Sequence, residues 1–534
     1  MKRREDQGTR TSHSDLRTRP TGGIRHWHVA AMSAALLAGL IGRLCLASIA
    51  PRWGYDSDHF ENISMGLAAR DRGLLDIYDT SPQNNPILVS QKYSPRDGAF
   101  EEGTLRMPRT PNYPPLGVTL FYLQASTMYA ASPHLVANTF FSRLWMAVLP
   151  IAAELALAAG VLLLTRELAG PTAAVLAACT TWLLPPLAMD SALWGQSDSW
   201  FLAPAVWTVW LLIRGRWAWA GLAAALAVLL KPQGVLLAPP ILLAALMLPA
   251  ATGLLRPREV LLRLAKTAAA FVAALAVLTL PWMLTSGLTW VQRAFLDNLR
   301  LYPMTTLAAF NFWYLDALRL DCSPVFDALD STATMAGLSK DAWGLAMLLA
   351  AMAALAAACW WRFRRRAKLG VVLFAGLWLW SAFLWPTRAH ERYIVYAIPL
   401  VLVAAVPLKR LWPAVALLVL VATAELCHNV WLKPLPAGYF KADTARANYQ
   451  AMLKGAAQMA ASPPSFDDVK RMYWQHYNRQ RQPLRPWELL ATMASMSGYG
   501  WAVLAALAFA SGPAPTAPPR TVPAKPLARP SRKG

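Results

Sequence analysis

Pro114-Pro115-Leu116-Gly-Val-Thr-Leu-Phe-Tyr-Leu-Gln-Ala-Ser-Thr-Met-Tyr-Ala-Ala131 is the stretch on which the topology of this chain turns. It is apolar, but from Leu116 to Ala131 it is shorter than the ~20 residues that span a bilayer core. On either side of it the sequence is dominated by longer apolar runs. They lie near 27–50, 144–165, 171–188, 199–213, 217–230, 233–249, 267–285, 342–360, 369–386, 393–408, 411–428 and 491–510. If 116–131 crosses as well, every later loop changes sides.

Charge decides between the two schemes, because short loops rich in Lys and Arg stay cytoplasmic. With 116–131 not crossing and the N-terminus inside, the inner pieces are 1–26, 165–170, 214–216, 251–266, 361–368, 409–410 and 512–534. Together they carry 26 Lys and Arg against five acidic residues. The outer loop 51–142 then holds seven basic and nine acidic residues, and loop 286–341 four and six. The opposite scheme puts Arg362-Phe-Arg-Arg-Arg366 outside, against the rule. The expectation is therefore about 12 transmembrane helices, both termini cytoplasmic, with 116–131 lying in the interface as a lid or platform. Loop 429–490, with nine basic and four acidic residues, fits this scheme poorly, although long loops obey the rule weakly.

Composition agrees. Of 534 residues, 56% are hydrophobic and 15% charged, well below the quarter usual in soluble chains. That excludes an ordinary soluble enzyme, a disordered protein and a secreted disulfide scaffold. Runs this long also exclude an outer-membrane barrel, whose strands are ~10 residues and alternate in polarity. The formal net charge of +22 reads as a topology signal and not as a nucleic-acid footprint. Cys45, Cys179, Cys322, Cys359 and Cys427 show no paired or zinc-ligand spacing. No metal or cofactor is expected. The resulting division is a basic cytoplasmic segment 1–26, a transmembrane catalytic module 27–428, an external loop 429–490, a last helix 491–510 and a Pro-rich basic tail 511–534. Within the module lie the outer loops 51–143 and 286–341. The tail lacks the apolar periodicity needed to build a core.

In this scheme all long loops are external, and four polar motifs fall on that side. These are Gly54-Tyr-Asp56-Ser-Asp58-His59-Phe60, Leu193-Trp194-Gly195-Gln196-Ser197-Asp198, Lys231-Pro232-Gln233 and Arg388-Ala-His390-Glu391-Arg392-Tyr393. Each has a plain reading: solvated loop carboxylates, a belt tryptophan, a snorkelling lysine, an interfacial basic anchor. Their shared sidedness favours a site, since polar groups at a membrane are costly. Lys and Arg beside an apolar groove suit a phosphate on a lipid tail, and a facing carboxylate could serve as base toward an incoming hydroxyl. Once clamped, a phosphate leaves readily. One base plus a cationic clamp therefore describes sugar transfer from a polyprenyl phosphate, whereas glycoside hydrolysis ordinarily wants two carboxyl groups. A transporter or flippase, or a ligase moving a whole lipid-linked glycan, remains the alternative.

Taken together the motifs resemble the multi-spanning GT-C glycosyltransferases that use lipid-phosphate sugars. The chain is most similar to bacterial relatives of the second mannosyltransferase of GPI-anchor assembly, and more loosely to the dolichyl-phosphate-glucose-dependent glucosyltransferases. The likeness rests on the Asp56 loop with Gly73 and Tyr78, on Tyr113-Pro-Pro-Leu116, on Trp194-Gly-Gln-Ser-Asp198 and on Lys231-Pro-Gln233. Ala309-Phe-Asn-Phe-Trp313 and His390-Glu-Arg-Tyr393 complete it, over roughly residues 30–410.

The resemblance implies a GT-C fold with interfacial helices in the first outer loop, and an acidic base there. Asp56, followed by Phe60 and Ile63, fits the family spacing and is the first choice, with Asp58 in reserve. Ile63 stands where Trp is commoner. Lys231, His390, Arg392 and Arg388 would contact the donor phosphate. Gln196, Asp198, Trp194, Gln233, Tyr113, Asn311 and Glu391 would line the substrate cavity. The partners implied are a polyprenyl-phosphate-linked sugar donor, a lipid, glycan or protein acceptor and the lipids of an inner (plasma) membrane. Nucleic acid is not among them.

Overall fold

The computed structural model describes residues 25–94, 97–107, 109–250, 256–301, 304–318, 331–432 and 485–508. Most of the N-terminal segment 1–26, nearly all of loop 429–490 and the tail 511–534 lie outside the described residues. The described chain is an all-α polytopic membrane protein with three small sheets in its loops. Among the described residues, each of the twelve apolar runs falls largely on helix. Seven helical segments are long and apolar enough to cross a membrane, or eight if a bent pair counts as one.

The departures have local causes. Run 171–188 breaks at Leu184, before Pro185-Pro186, and bends by 44° into a segment ending at Trp194. A residue preceding proline is pushed away from helical geometry. Runs 199–213 and 217–230 form helices of only 16 and 14 residues. Run 393–408 begins as the 3₁₀ segment Glu391–Ala397 before the short helix Ile398–Ala405.

The first half of the chain positions the site. Helix α1 (His26–Trp53) is followed at once by α2 (Asp56–Arg72). Then come strands β1 (Ile87–Ser94) and β2 (Ala99–Arg106), helix α3 (Pro115–Ala131), strand β3 (Val136–Ala137) and helix α4 (Phe140–Ala169). The sheet order is β2-β1-β3, with β1 antiparallel to β2 and parallel to β3. A reciprocal cap starts α4: the Thr139 hydroxyl accepts from Ser142 N at 3.1 Å and the Ser142 hydroxyl from Thr139 N at 3.0 Å.

Helix α3 is the 116–131 stretch. At 17 residues it is not among the helices long enough to cross. It packs against α2 so closely that a Cβ on Gly66 would lie 2.2 Å from the Phe121 carbonyl oxygen. Helix α2 is buried over most of its length after His59. Farther along the chain, the Ala367–Leu384 helix is buried on nearly all sides and forms the spine of the larger core.

Candidate active site

Three chain breaks meet at one end of the bundle: the α1–α2 joint, the turn after Trp194, and the bend at Lys231 between the Trp217–Leu230 and Pro232–Leu237 segments. A fourth element, the 388–397 segment, is fastened there by parallel pairing of Ala389–His390 with Thr306–Leu307. The turn itself is made by Gly195 in the left-handed conformation (φ +85°). There a side chain would be strained.

Asp198 is the centre of the cluster. Its Oδ1 accepts from Lys231 Nζ at 2.5 Å and from the Tyr396 hydroxyl, and its Oδ2 lies 3.2 Å from Arg392 Nε. Arg392 Nη1 in turn faces Glu391 Oε1 at 2.9 Å and Asp58 Oδ2 at 3.5 Å. That same Asp58 oxygen accepts from Trp194 Nε1 at 2.8 Å and Gln196 Nε2 at 2.5 Å. Tyr113 donates to Gln196 Oε1 at 3.3 Å, and its ring lies 5.8 Å from Lys231 Nζ. Gln233 donates to the Tyr393 hydroxyl at 2.6 Å, and Tyr393 stacks on Tyr396. His390 sits beside Arg392 (Nη1 to Nδ1, 3.4 Å) and Glu391.

The cluster is graded from closed to open. The Asp198 and Lys231 side chains are 0% and 3% exposed, whereas Asp58 and His390 are each 18% exposed. Burial alone would push the Asp58 carboxyl up, but the Arg392 guanidinium and the hydrogen bonds from Trp194 and Gln196 outweigh it and hold the group below the usual carboxylate range. Burial would likewise lower the Lys231 ammonium, yet the facing Asp198 carboxylate raises it, so it stays charged. Burial, then Arg392, depresses His390. It is a neutral imidazole at neutral pH, a hydrogen-bonding group and not a third cation.

Asp56 is the first residue of α2, two residues before Asp58 in the same turn. Its Oδ1 accepts from Arg143 Nη2 at 2.9 Å. Two of the sequence candidates are placed elsewhere. Arg388, in the left-handed region (φ +64°), pairs with Asp341 and reaches Ser331, pinning the 331–341 loop. Asn311 is fully buried and binds the Phe383 and Pro386 carbonyls at 3.3 and 3.4 Å, while its own oxygen accepts from Tyr314 N. It shapes a loop.

Arg143 and Tyr396 were missed. Arg143 stands just before an apolar run, where it reads as a loop charge, and Tyr396 is hidden inside one. The available signal was an arginine within a turn of a membrane helix, which is seldom idle. Among the described residues, no group of three or more His, Cys, Asp and Glu is placed to hold a metal ion.

No family model and no curated protein sequence matches the chain. Among solved structures it is similar to ArnT from Cupriavidus metallidurans in the apo state, at 16% identity over 90% of this chain and 76% of that one, with a TM-score of 0.42. The same protein bound to undecaprenyl phosphate gives 16% identity, 90% and 77% coverage and a TM-score of 0.43. The apo oligosaccharyltransferase of Archaeoglobus fulgidus is also similar, at 16% identity and a TM-score of 0.40. The match takes in 92% of this chain and 57% of the archaeal protein, so the chain spans little more than half that relative's length.

Proposed function

We propose that the chain is an inverting glycosyltransferase of the GT-C kind. It moves a hexose, mannose favoured, from a polyprenyl-phosphate sugar to an acceptor hydroxyl at the outer face of the membrane. The observation that carries the proposal is that Lys231 and Arg392 share the buried Asp198 carboxylate while Arg392 also faces the first-loop Asp58 at the open end of the cluster. Two fixed cations can stabilise the charge that develops on a leaving phosphate, and a first-loop carboxylate outside their ion pairs can take the proton of the attacking hydroxyl.

The roles divide as follows. Asp58 has an indole, an amide and a guanidinium converging on one oxygen and is held as the anion. It suits holding Arg392 until the phosphate takes over that contact. Asp56, at the first residue of α2 and oriented by Arg143, is the base. Lys231 and Arg392 contact the donor phosphate, with His390 as a neutral donor at the rim. Each buried cation is held by carboxylates, because an unpaired one would be expensive. The longest of these contacts, Arg392 to Asp58, is the one the phosphate would replace.

The test is to incubate membranes containing the full chain with a panel of labelled polyprenyl-phosphate sugars and to identify products by mass. Transfer of one hexose, abolished in Asp56→Asn, supports the reading. Absence of transfer from every monophosphate donor, with binding retained, points instead to a carrier of lipid-linked sugars.

A further inference from the structure

Arg143 is completely buried, and its guanidinium makes four hydrogen bonds to three segments. Nε donates to Asn138 Oδ1 at 2.8 Å, and Nη2 to Asp56 Oδ1 at 2.9 Å. Nη1 is shared between the Tyr55 carbonyl at 3.2 Å and the Trp194 carbonyl at 3.3 Å. One planar fork thus joins the α1–α2 joint, the turn that carries Gln196, and the loop before α4. Lysine, a point donor, could not hold all of them at once.

Asn138 is itself a junction. It is fully buried and left-handed (φ +67°), a conformation asparagine tolerates better than most residues. Its Nδ2 donates to the Pro51 carbonyl at 3.1 Å and to the Gln91 carbonyl at 2.9 Å. Gln91 Nε2 returns a bond to the Asn138 carbonyl at 3.0 Å. Gln91 belongs to β1, which pairs with β2 along its whole length and with β3 at Val89–Val136 and Ser90–Ala137. The path from the exposed hairpin to Asp56 is therefore Gln91, Asn138, Arg143, with every step a hydrogen bond.

We propose that Arg143 is a positioning residue for Asp56 and for the Trp194–Gln196 turn, and that Asn138 and Gln91 extend this control to the outer sheet, so that the hairpin's seating sets the site's geometry. The catalytic half of this proposal rests on the reading of Asp56 as base, and the mechanical half does not. The charged groups facing Arg143 are Asp56 and Asp58 of α2, and Arg392 faces Asp58 from the 391–397 segment. His59, beside them with Nε2 3.3 Å from the Ser142 hydroxyl, is kept neutral by burial and by Arg143.

The test uses the full chain in lipid nanodiscs with Gln91→Ala, Asn138→Asp and Arg143→Lys. Gln91 is only half buried, so its variant keeps the proposal testable should Arg143→Lys fail to fold. Hydrogen exchange of the amides at 55–62 and 194–198 is read first, without any substrate. Gln91→Ala is expected to speed exchange there several-fold although it touches neither segment; exchange unchanged from wild type overturns the coupling.

Where sugar transfer is measurable, Asn138→Asp places a second carboxylate on Arg143 and weakens its hold on Asp56. The acid limb of kcat/KM should then move up by roughly half to one pH unit. Gln91→Ala should lower kcat about three- to tenfold with the donor KM unchanged. An unmoved acid limb, or a loss confined to KM, overturns Arg143 as the residue that positions the base. If no donor is turned over at all, the glycosyltransferase reading falls while the exchange result still decides the coupling.

Discussion

Arg43 and Arg392 are both buried against carboxylates, and they are built differently. Arg43, midway along α1, donates to Glu154 Oε2 at 2.6 Å, to the Gly39 carbonyl at 3.0 Å and to the Trp182 carbonyl at 3.1 Å, with its plane 3.7 Å from the Trp182 ring centre. Both partners are shut away, at 2% and 1% exposure. Arg392, at the end of the bundle, faces three carboxylates at 2.9, 3.2 and 3.5 Å, and one of those belongs to a side chain open to water. The first arrangement is closed, one cation matched by one anion and two carbonyls. The second holds more negative charge than its two cations neutralise, with the surplus at the rim. A closed pair contributes to structure; a cation whose longest contact is with a carboxylate at the rim can exchange that contact for an incoming anion, against the repulsion of the carboxylates that stay.

The largest expected effect breaks the comparison on the chemical side. Asp56→Asn keeps the shape of the α2 start but removes a base, and turnover should fall by about two to four orders of magnitude. Wild-type transfer by both Asp56→Asn and Asp58→Asn, singly and together, would show that neither carboxylate takes the proton. The closed pair should behave in the opposite way. Removing one partner, as in Glu154→Ala, leaves an uncompensated buried charge and should destabilise by about 3–5 kcal/mol. The double variant Arg43→Met/Glu154→Leu should recover much of that, with transfer retained. Thermal unfolding in detergent alongside the transfer assay checks both halves, and equal destabilisation by single and double variants would contradict the closed-pair reading.

Much of this contrast could not be read from the chain. The twelve apolar runs were legible because length and hydropathy alone force helix in lipid, where every backbone group must be satisfied internally. The shortness of 116–131 was legible too, and its helix runs to 17 residues. Trp194, Gln196, Asp198, Lys231 and Arg392 could be grouped because each sits at a helix end, where a polar residue stands out. Arg43, Glu154 and Arg143 could not be paired, since periodicity says which residues lie on a helix and nothing about which helix faces which. Arg388 and Asn311 misled for a related reason: both are polar and motif-borne, but their bonds are spent on Asp341 and on loop carbonyls. The bend at Leu184 was foreshadowed by Pro185-Pro186, yet run 171–188 reads straight through it.

A sharper test of the open cluster uses its own surplus. Lys231→Ala and Arg392→Ala should each weaken donor use by roughly 1–3 kcal/mol, about ten- to a hundredfold in kcat/KM. Because both cations lean on Asp198, the double variant should lose less than the sum. Asp58→Asn should act in the other direction on binding. Removing the carboxylate that competes at 3.5 Å for Arg392 should tighten a non-reactive polyprenyl phosphate a few-fold, about 1 kcal/mol or less. Weaker binding by Asp58→Asn would mean that the carboxylate organises the phosphate site and does not compete for it.

The smallest effect separates the two arginines by pH. Asp58 is held below the ordinary carboxylate range, its burial outweighed by Arg392, Trp194 and Gln196. A carboxyl depressed in the folded state binds fewer protons there than in the unfolded chain, so its stabilisation is complete above the ordinary carboxylate pKa of about 4. That contribution fades as pH falls through the depressed value. Unfolding midpoints in detergent should therefore drop on acidification below about pH 4, and the drop should be shallower in Asp58→Asn by the equivalent of about 1 kcal/mol or less. Since Asp58 reaches solvent, protons arrive without opening the bundle. Parallel slopes for the two proteins would mean that the Asp58–Arg392 contact contributes nothing to folding, leaving Asp198 as the partner that keeps Arg392 in place.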